Sequence, residues 1–136
     1  LLADTLYSLQ AGTLQRVPQE DGESTYAPML DKSLCPIDWS KPAREIHNQI
    51  RGLSPWPVAV TSLSGKRMKV HGSRMTGRES TLPYGTVTGV DGEICVACGD
   101  GEVLSLLCIQ AEGGKRMDAS DYLRGHPIPK GTRLGE

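Results

Sequence analysis

Hydrophobic and polar positions divide the 136-residue chain into a leading helix, a polar connection and a longer region of short apolar runs. The helix follows from Leu2, Leu6 and Leu9, which share one face at 3.6 residues per turn, with Gly12 as its C-terminal cap. Proline and acidic residues between 13 and 34 interrupt any period, which predicts an extended linker. We therefore expect a helix over 1–12, a linker over 13–34 and a folded domain over 35–136.

Two further helices are predicted inside that domain. The first runs from an N-cap at Ser40 to Gly52, with apolar residues at helical spacing on one face. The second is short and begins after an N-cap at Asp118, with Met117 and Tyr122 placed as a hydrophobic staple and a glycine at its end.

Short apolar, β-branched runs predict the strands, which we expect over residues 58–63, 67–71, 85–90, 93–98 and 103–110, with a last edge strand over 131–134. Glycine-containing turns separate them at 64–65, 91–92 and 99–101, and residues 72–84 are expected to form a polar loop. Five or six short strands with frequent turns predict a mainly β domain with flanking helices, arranged as an open Greek-key β-barrel that resembles an OB fold.

Composition changes this picture mainly through the distribution of charge. The formal net charge is −1, so a nucleic-acid site requires local segregation of cations. Residues 66–78 carry five basic side chains and no acid, whereas residues 91–102 carry four acids and no base. If Met68 and Val70 face the core, alternate basic side chains lie on the outer face about 6.6 Å apart, a spacing suited to phosphates. The alternative is a solvated strand edge whose charges prevent aggregation.

The remaining composition argues against a membrane protein and against a metal centre. Apolar runs are far shorter than the roughly 20 residues that span a bilayer, and no signal segment is evident, so a cytoplasmic location is expected. Cys95 and Cys98 form a lone CxxC without a second ligand pair, so free thiols are favoured over a zinc or redox site. No nucleophile motif accompanies any histidine, and we assign no catalytic residue.

Several separated motifs resemble the carboxy-terminal part of the methionyl-tRNA formyltransferase family. They are TYA at 25–27, IDW at 37–39, IRGLSPWP at 50–57, GDG at 99–101 and GGKRM at 113–117. The resemblance implies a tRNA-binding domain that positions initiator methionyl-tRNA. The formyl transfer from 10-formyltetrahydrofolate would then occur in an amino-terminal catalytic domain joined in cis, so this chain alone is expected to be inactive and to hold no cofactor.

The candidate tRNA-binding residues combine the basic run with the glycine loop that the resemblance marks as typical of tRNA-acting members. They are Lys66, Arg67, Lys69, Arg74, Lys115 and Arg116. A competing interpretation makes the domain a structural scaffold of a relative that acts on a sugar nucleotide or on formyl-folate, without RNA binding.

A second set of residues is expected at a domain interface. It comprises Leu2, Leu6, Leu9, Arg51 and Trp56. Trp56 is held between two prolines, which favours a buried core or interface anchor over an exposed ring. The leucine stripe would otherwise remain exposed, so we expect the first helix to fold back on the barrel or to pair with a second copy.

Overall fold

The computed structural model describes residues 1–18, 20–89 and 92–136. Its helices are α1 (Leu2–Gln10), α2 (Ala43–Gly52) and α3 (Ala119–Gly125), and short 3₁₀ turns lie at Asp21–Glu23 and Lys32–Leu34. Its strands are β1 (Ala59–Leu63), β2 (Lys66–Glu79), β3 (Val87–Gly89), β4 (Ile94–Ala97), β5 (Glu102–Ala111) and β6 (Met117–Asp118).

The strands form one antiparallel sheet in the order β1-β2-β5-β4-β3, and β6 pairs with β5. This order confirms the mainly β, Greek-key, OB-like prediction. The C-terminal segment bridges both outer edges of the curled sheet: Leu134 pairs with Leu63 of β1, and Arg133 pairs with Thr86 just before β3. The predicted last strand at 131–134 is thus present as these single bridges.

Alternating residues of the strands fill the interior of the curl. Met68 and Val70 of β2 are fully buried, as predicted, and they pack with Leu104 and Leu106 of β5. Helix α2 covers this core with one face, because Ala43, Ile46 and Ile50 are buried while the polar residues between them point outward. Trp39 is also buried, and its indole nitrogen donates to Thr61 Oγ1 at 3.0 Å.

In the GDG turn at residues 99–101, Asp100 bonds the first residue of α2 and Gly99 packs against the backbone just before that helix. Asp100 Oδ2 accepts a hydrogen bond from the Ala43 backbone N–H at 3.1 Å and so caps α2 from a distant part of the chain. The expected cap, Ser40, instead donates both its N–H and its hydroxyl to Asp38. Gly99 lies so close to the backbone of residue 40 that a Cβ would overlap the Ser40 carbonyl group. The cap prediction was therefore wrong in its residue, because the partner comes from 57 positions away.

The largest difference between the predicted and observed elements is the length of strand β2. Residues 72–79 were expected in a loop, yet β2 continues to Glu79 and pairs with β5 as far as Met75 and again at Glu79. Two compensating irregularities flank Gly72, one after Val70 on β2 and one opposite it on β5, so the polar, glycine-containing sequence follows the bend of the sheet. The predicted turn at 91–92 begins outside the described residues.

Helix α1 and the following connection pack little against the barrel. Leu2, Leu6 and Leu9 are 74%, 56% and 61% exposed, and no residue of α1 is buried. The structure therefore does not show α1 folded back on the barrel, and the alternative, pairing with a second copy, stays a prediction. None of the helices in the described ranges has the length and apolar character needed to cross a membrane.

Candidate nucleic-acid interface

The start of β2 presents three exposed cations, of which Arg67 and Lys69 lie on the outer face of the sheet and Lys66 occupies the first position of the strand. Lys66, Arg67 and Lys69 are exposed, whereas Met68 between them is buried. The hairpin from β1 sets this arrangement: Ser64 and Gly65 both take positive φ in its two-residue turn, and Leu63 then pairs with Lys66. The tight turn fixes the register, and Arg67 and Lys69 therefore point away from the core.

The loop after β5 brings a fourth cation to the same place. β5 runs antiparallel to β2, with Met68 opposite Ala111, so the chain leaves β5 beside the start of β2. Lys66, Arg67 and Lys115 consequently line one groove of about 290 Å³, whose wall includes Gly113 and Gly114. Gly113 has φ of +71°, a conformation that glycine adopts without strain and that allows the loop to turn back here.

Lys69 and Arg116 extend this surface along the sheet. Arg67 and Lys69 share a neighbouring groove of about 240 Å³. Lys69 and Arg116 both lie near enough to His71 for their charges to lower the pKa of its imidazole. We call Lys66, Arg67, Lys69, Lys115 and Arg116 the basic patch; Glu112 also lines its grooves and reduces the local charge.

A hydrogen-bond network holds the glycine loop against β2. Gln110 Nε2 donates to the Gly114 carbonyl at 3.0 Å, and Gln110 Oε1 lies 3.3 Å from His71 Nε2. Because Oε1 can only accept, the ring carries its proton on Nε2, while Nδ1 is buried without a hydrogen-bond partner. Burial is the main cause that lowers the pKa of His71, so the ring is neutral at pH 7. Sequence reasoning missed Gln110, because nothing in its position in the sequence shows that it faces the loop.

Arg74 lies farther along β2 and is already engaged. Its guanidinium forms a 2.6 Å ion pair with Glu93, which also accepts from Ser105 Oγ at 2.5 Å. The hydrogen bond from Ser105, followed by that from Arg74, holds the pKa of Glu93 below its ordinary value. The structure thus brings five of the six predicted cations together and places the sixth in a separate cluster.

The groove beside Lys115 has an aromatic side. Tyr122 of α3 and His126 just after it stack with ring centroids 4.7 Å apart and planes 12° from parallel, and both line the groove. Met117 and Leu63 contribute apolar surface there. Tyr122 was predicted as part of a staple with Met117; the stacked partner, His126, carries no sequence signal beyond its spacing of four residues.

The residues predicted at a domain interface are not part of the basic patch, and all five are exposed. Trp56 is 62% exposed, so its placement in the core was wrong, and its prediction as an interface anchor stays a prediction. Arg51 is exposed near the end of α2 and donates to Asn48 Oδ1 at 3.3 Å.

The cysteines show no metal-binding arrangement. Burial and the nearby Asp100 raise the pKa of Cys98 to about 12, which keeps it as a thiol, whereas the thiolate is the form that binds metals. Among residues 1–18, 20–89 and 92–136, no three His, Cys, Asp or Glu side chains come together as a metal site would require.

Comparison with known proteins shows which protein family the chain matches. Residues 29–127 match the family described as formyl transferase, C-terminal domain. Methionyl-tRNA formyltransferase of Trichlorobacter lovleyi is 48% identical over 136 residues, which cover 98% of this chain and 42% of that protein. The enzyme of Acetivibrio thermocellus is 42% identical over 139 residues, covering 100% of this chain and 44% of that protein. The chain thus spans about two fifths of the length of these relatives.

Solved structures agree on the fold. HypX from Aquifex aeolicus in complex with tetrahydrofolic acid matches with a TM-score of 0.57 at 15% identity, over 90% of this chain and 22% of that one. A HypX variant matches with a TM-score of 0.60 at 14% identity, over 95% and 23%. At such identities the likeness shows the fold alone. The family match and the curated relatives together show that this chain belongs to the formyl transferase C-terminal domain family.

Proposed function

We propose that this chain is the tRNA-binding domain of a cytoplasmic methionyl-tRNA formyltransferase in translation initiation. The observation that carries the proposal is the basic patch, because four cations from β2 and the β5–β6 loop line two adjoining grooves and Arg116 lies beside them, in a chain whose net charge is −1. Such a surface binds the backbone of a nucleic acid through its phosphates. The curated relatives, which are methionyl-tRNA formyltransferases, supply the identity of the RNA.

In this proposal the domain contributes position and affinity, and the chemistry belongs to a catalytic domain outside the 136 residues. That domain would take the formyl group from 10-formyltetrahydrofolate and transfer it to the amino group of methionyl-initiator-tRNA. Side chains that grip the RNA backbone convert the transfer into a reaction between oriented partners, which lowers its entropic barrier. Phosphate contacts provide little discrimination between sequences, so selection of the initiator tRNA would rest mainly with the catalytic domain.

The exposed apolar residues would carry the contact with that domain. Trp56 and the leucine stripe of α1 lie uncovered, and the curated relatives extend well beyond the aligned region. We propose that 1–12 belongs to the preceding domain, that 13–34 is the linker and that 35–136 folds as the barrel unit.

Fluorescence anisotropy with labelled initiator tRNA tests the RNA-binding proposal. Replacing Lys66, Arg67, Lys69 and Lys115 by alanine should weaken binding by at least about tenfold, since several phosphate contacts disappear. The matched control replaces Lys32, Lys41, Arg78 and Lys130, which are three exposed lysines and one exposed arginine away from the grooves of the patch. Equal losses in the two variants, or no tRNA binding by the unmodified chain near 100 mM salt, would favour the scaffold interpretation instead.

A further inference from the structure

The groove beside Lys115 combines two surfaces that a simple phosphate contact does not need. One side is cationic, through Lys66, Arg67 and Lys115, and the other is aromatic and apolar, through Tyr122 and His126 with Met117. Backbone recognition uses the charged side alone. Aromatic rings beside cations are the arrangement by which proteins hold unstacked bases of single-stranded RNA.

We propose that this groove binds one unstacked nucleotide of the RNA, with its base against the Tyr122–His126 stack and its phosphate facing the cations. This inference rests on the proposed RNA-binding function and names the chemical group that the groove takes. The volume of about 290 Å³ is close to the lower end of small-molecule sites, which begin near roughly 300 Å³. Glu112 on the lining can accept a hydrogen bond from an amino group on the base edge.

The geometry of the aromatic pair supports base stacking. The two rings are nearly parallel at 12°, with Tyr122 inside α3 and His126 at its C-terminal cap, so a base that stacks on the outer face of either ring would extend the pair by one ring. α3 is itself anchored on the barrel, because Ala119 is buried and Tyr122 packs partly against the core. Stacking of the two rings on each other restricts their orientations before a base binds, which reduces the conformational entropy lost on binding.

The test compares adenosine 5′-monophosphate with ribose 5-phosphate, by NMR titration of the complete chain. Both ligands carry the phosphate, so any difference in affinity reports the base. We expect the nucleotide to bind about 5- to 150-fold more tightly, the range that one base–aromatic stack provides, with chemical-shift changes at the Tyr122 and His126 rings. Equal affinities for the two ligands would overturn the proposal.

Single substitutions test whether the Tyr122 and His126 rings cause the preference for the nucleotide. Tyr122→Leu and the exposed His126→Ala should each reduce the preference for the nucleotide, and Tyr122→Phe should retain it because the ring remains. Tyr84→Leu serves as the matched control, since Tyr84 lies against Arg133 and does not line the groove. Because Tyr122 also touches the core, His126→Ala decides the matter if Tyr122→Leu fails to fold; a full preference in that variant would contradict the proposal.

The two proposals fail in different ways. If the unmodified chain prefers the nucleotide but does not bind tRNA, the groove stands and the proposed function is wrong. If tRNA binding depends on the basic patch while the two small ligands bind equally, the proposed function stands and the nucleotide groove is wrong.

Discussion

Gly99 and Asp100 stabilise this domain through contacts with backbone groups that are distant in sequence. Gly99 donates its N–H to the Lys41 carbonyl at 3.0 Å, and its neighbour Asp100 caps α2. The sequence identified GDG as a turn, because glycines flank an acid. It could not show that this turn packs against residues 40–43, since turn chemistry is local whereas the packing joins residues 57 to 59 positions apart.

Gly99→Ala tests that close packing. The added Cβ would overlap the Ser40 carbonyl group, so the backbone must shift, and we expect a loss of about 3 kcal/mol in the free energy of unfolding. Asp100→Ala adds no Cβ clash but removes the cap and the hydrogen bond that Asp100 Oδ1 accepts from the Glu102 N–H, and it should cost about 1 kcal/mol. Urea denaturation measures both values; a Gly99→Ala variant as stable as the unmodified chain would refute the contact. Gly52→Ala is the control, because the position that its Cβ would take has no neighbouring segment within 4 Å.

Glu93 should make the free energy of unfolding depend on pH in the acidic range. Its hydrogen bonds from Ser105 and Arg74 lower its folded pKa below the ordinary 4.5, so the stabilisation is present above pH 4.5 and disappears as the pH falls through the folded pKa. At pH 7, Glu93→Gln should lower the free energy of unfolding by about 1 kcal/mol, allowing for partial solvent screening. This difference should shrink steadily below pH 4.5 in denaturation curves. A difference that stays constant across that range would exclude the linkage.

At the scale of elements, the periodic segments were predictable and the bent strand was not. The apolar stripe of α1 predicted a helix although none of its residues is buried here. The stripe of α2 and the alternation of Met68 and Val70 also predicted the correct elements, because in each a buried face imposes its period on the sequence. Residues 72–79 lack that alternation, since irregular pairing near Gly72 shifts which side chains face inward. The same strand carries Lys69 and Arg74, so this error also concealed how far apart the two cations lie along β2.

Helix α1 should contribute little to the stability of the isolated chain. Replacing Leu2, Leu6 and Leu9 by serine should change the free energy of unfolding of the barrel by less than about 0.5 kcal/mol, because none of the three is buried. Ile46→Ala in the core of α2 is the comparison and should cost about 2 to 5 kcal/mol. A triple serine variant that loses as much as Ile46→Ala would show that the stripe packs on the barrel in solution. Sedimentation of the same variants reports whether the stripe pairs two copies.

At the scale of the whole molecule, a net charge of −1 hides an uneven distribution of charged side chains over the curled sheet. The sequence predicted the Greek-key barrel from strand and turn spacing and located the cations that carry the candidate site. It could not show that Lys115 and Lys66, 49 positions apart in the printed sequence, line one groove, because that proximity depends on the antiparallel pairing of β2 with β5. It also could not find Gln110, which ties the loop to His71, or the stacking of Tyr122 on His126.

The proposed function depends most directly on contact between the basic patch and RNA phosphates. The direct measurement is the slope of log K for initiator tRNA against log salt concentration. Contact with roughly four phosphates predicts a slope of about −3 to −4. Alanine at Lys66, Arg67, Lys69 and Lys115 should flatten this slope markedly, whereas the control set at Lys32, Lys41, Arg78 and Lys130 should leave it unchanged. A slope that the patch variant does not alter would show that the basic patch does not contact the RNA phosphates.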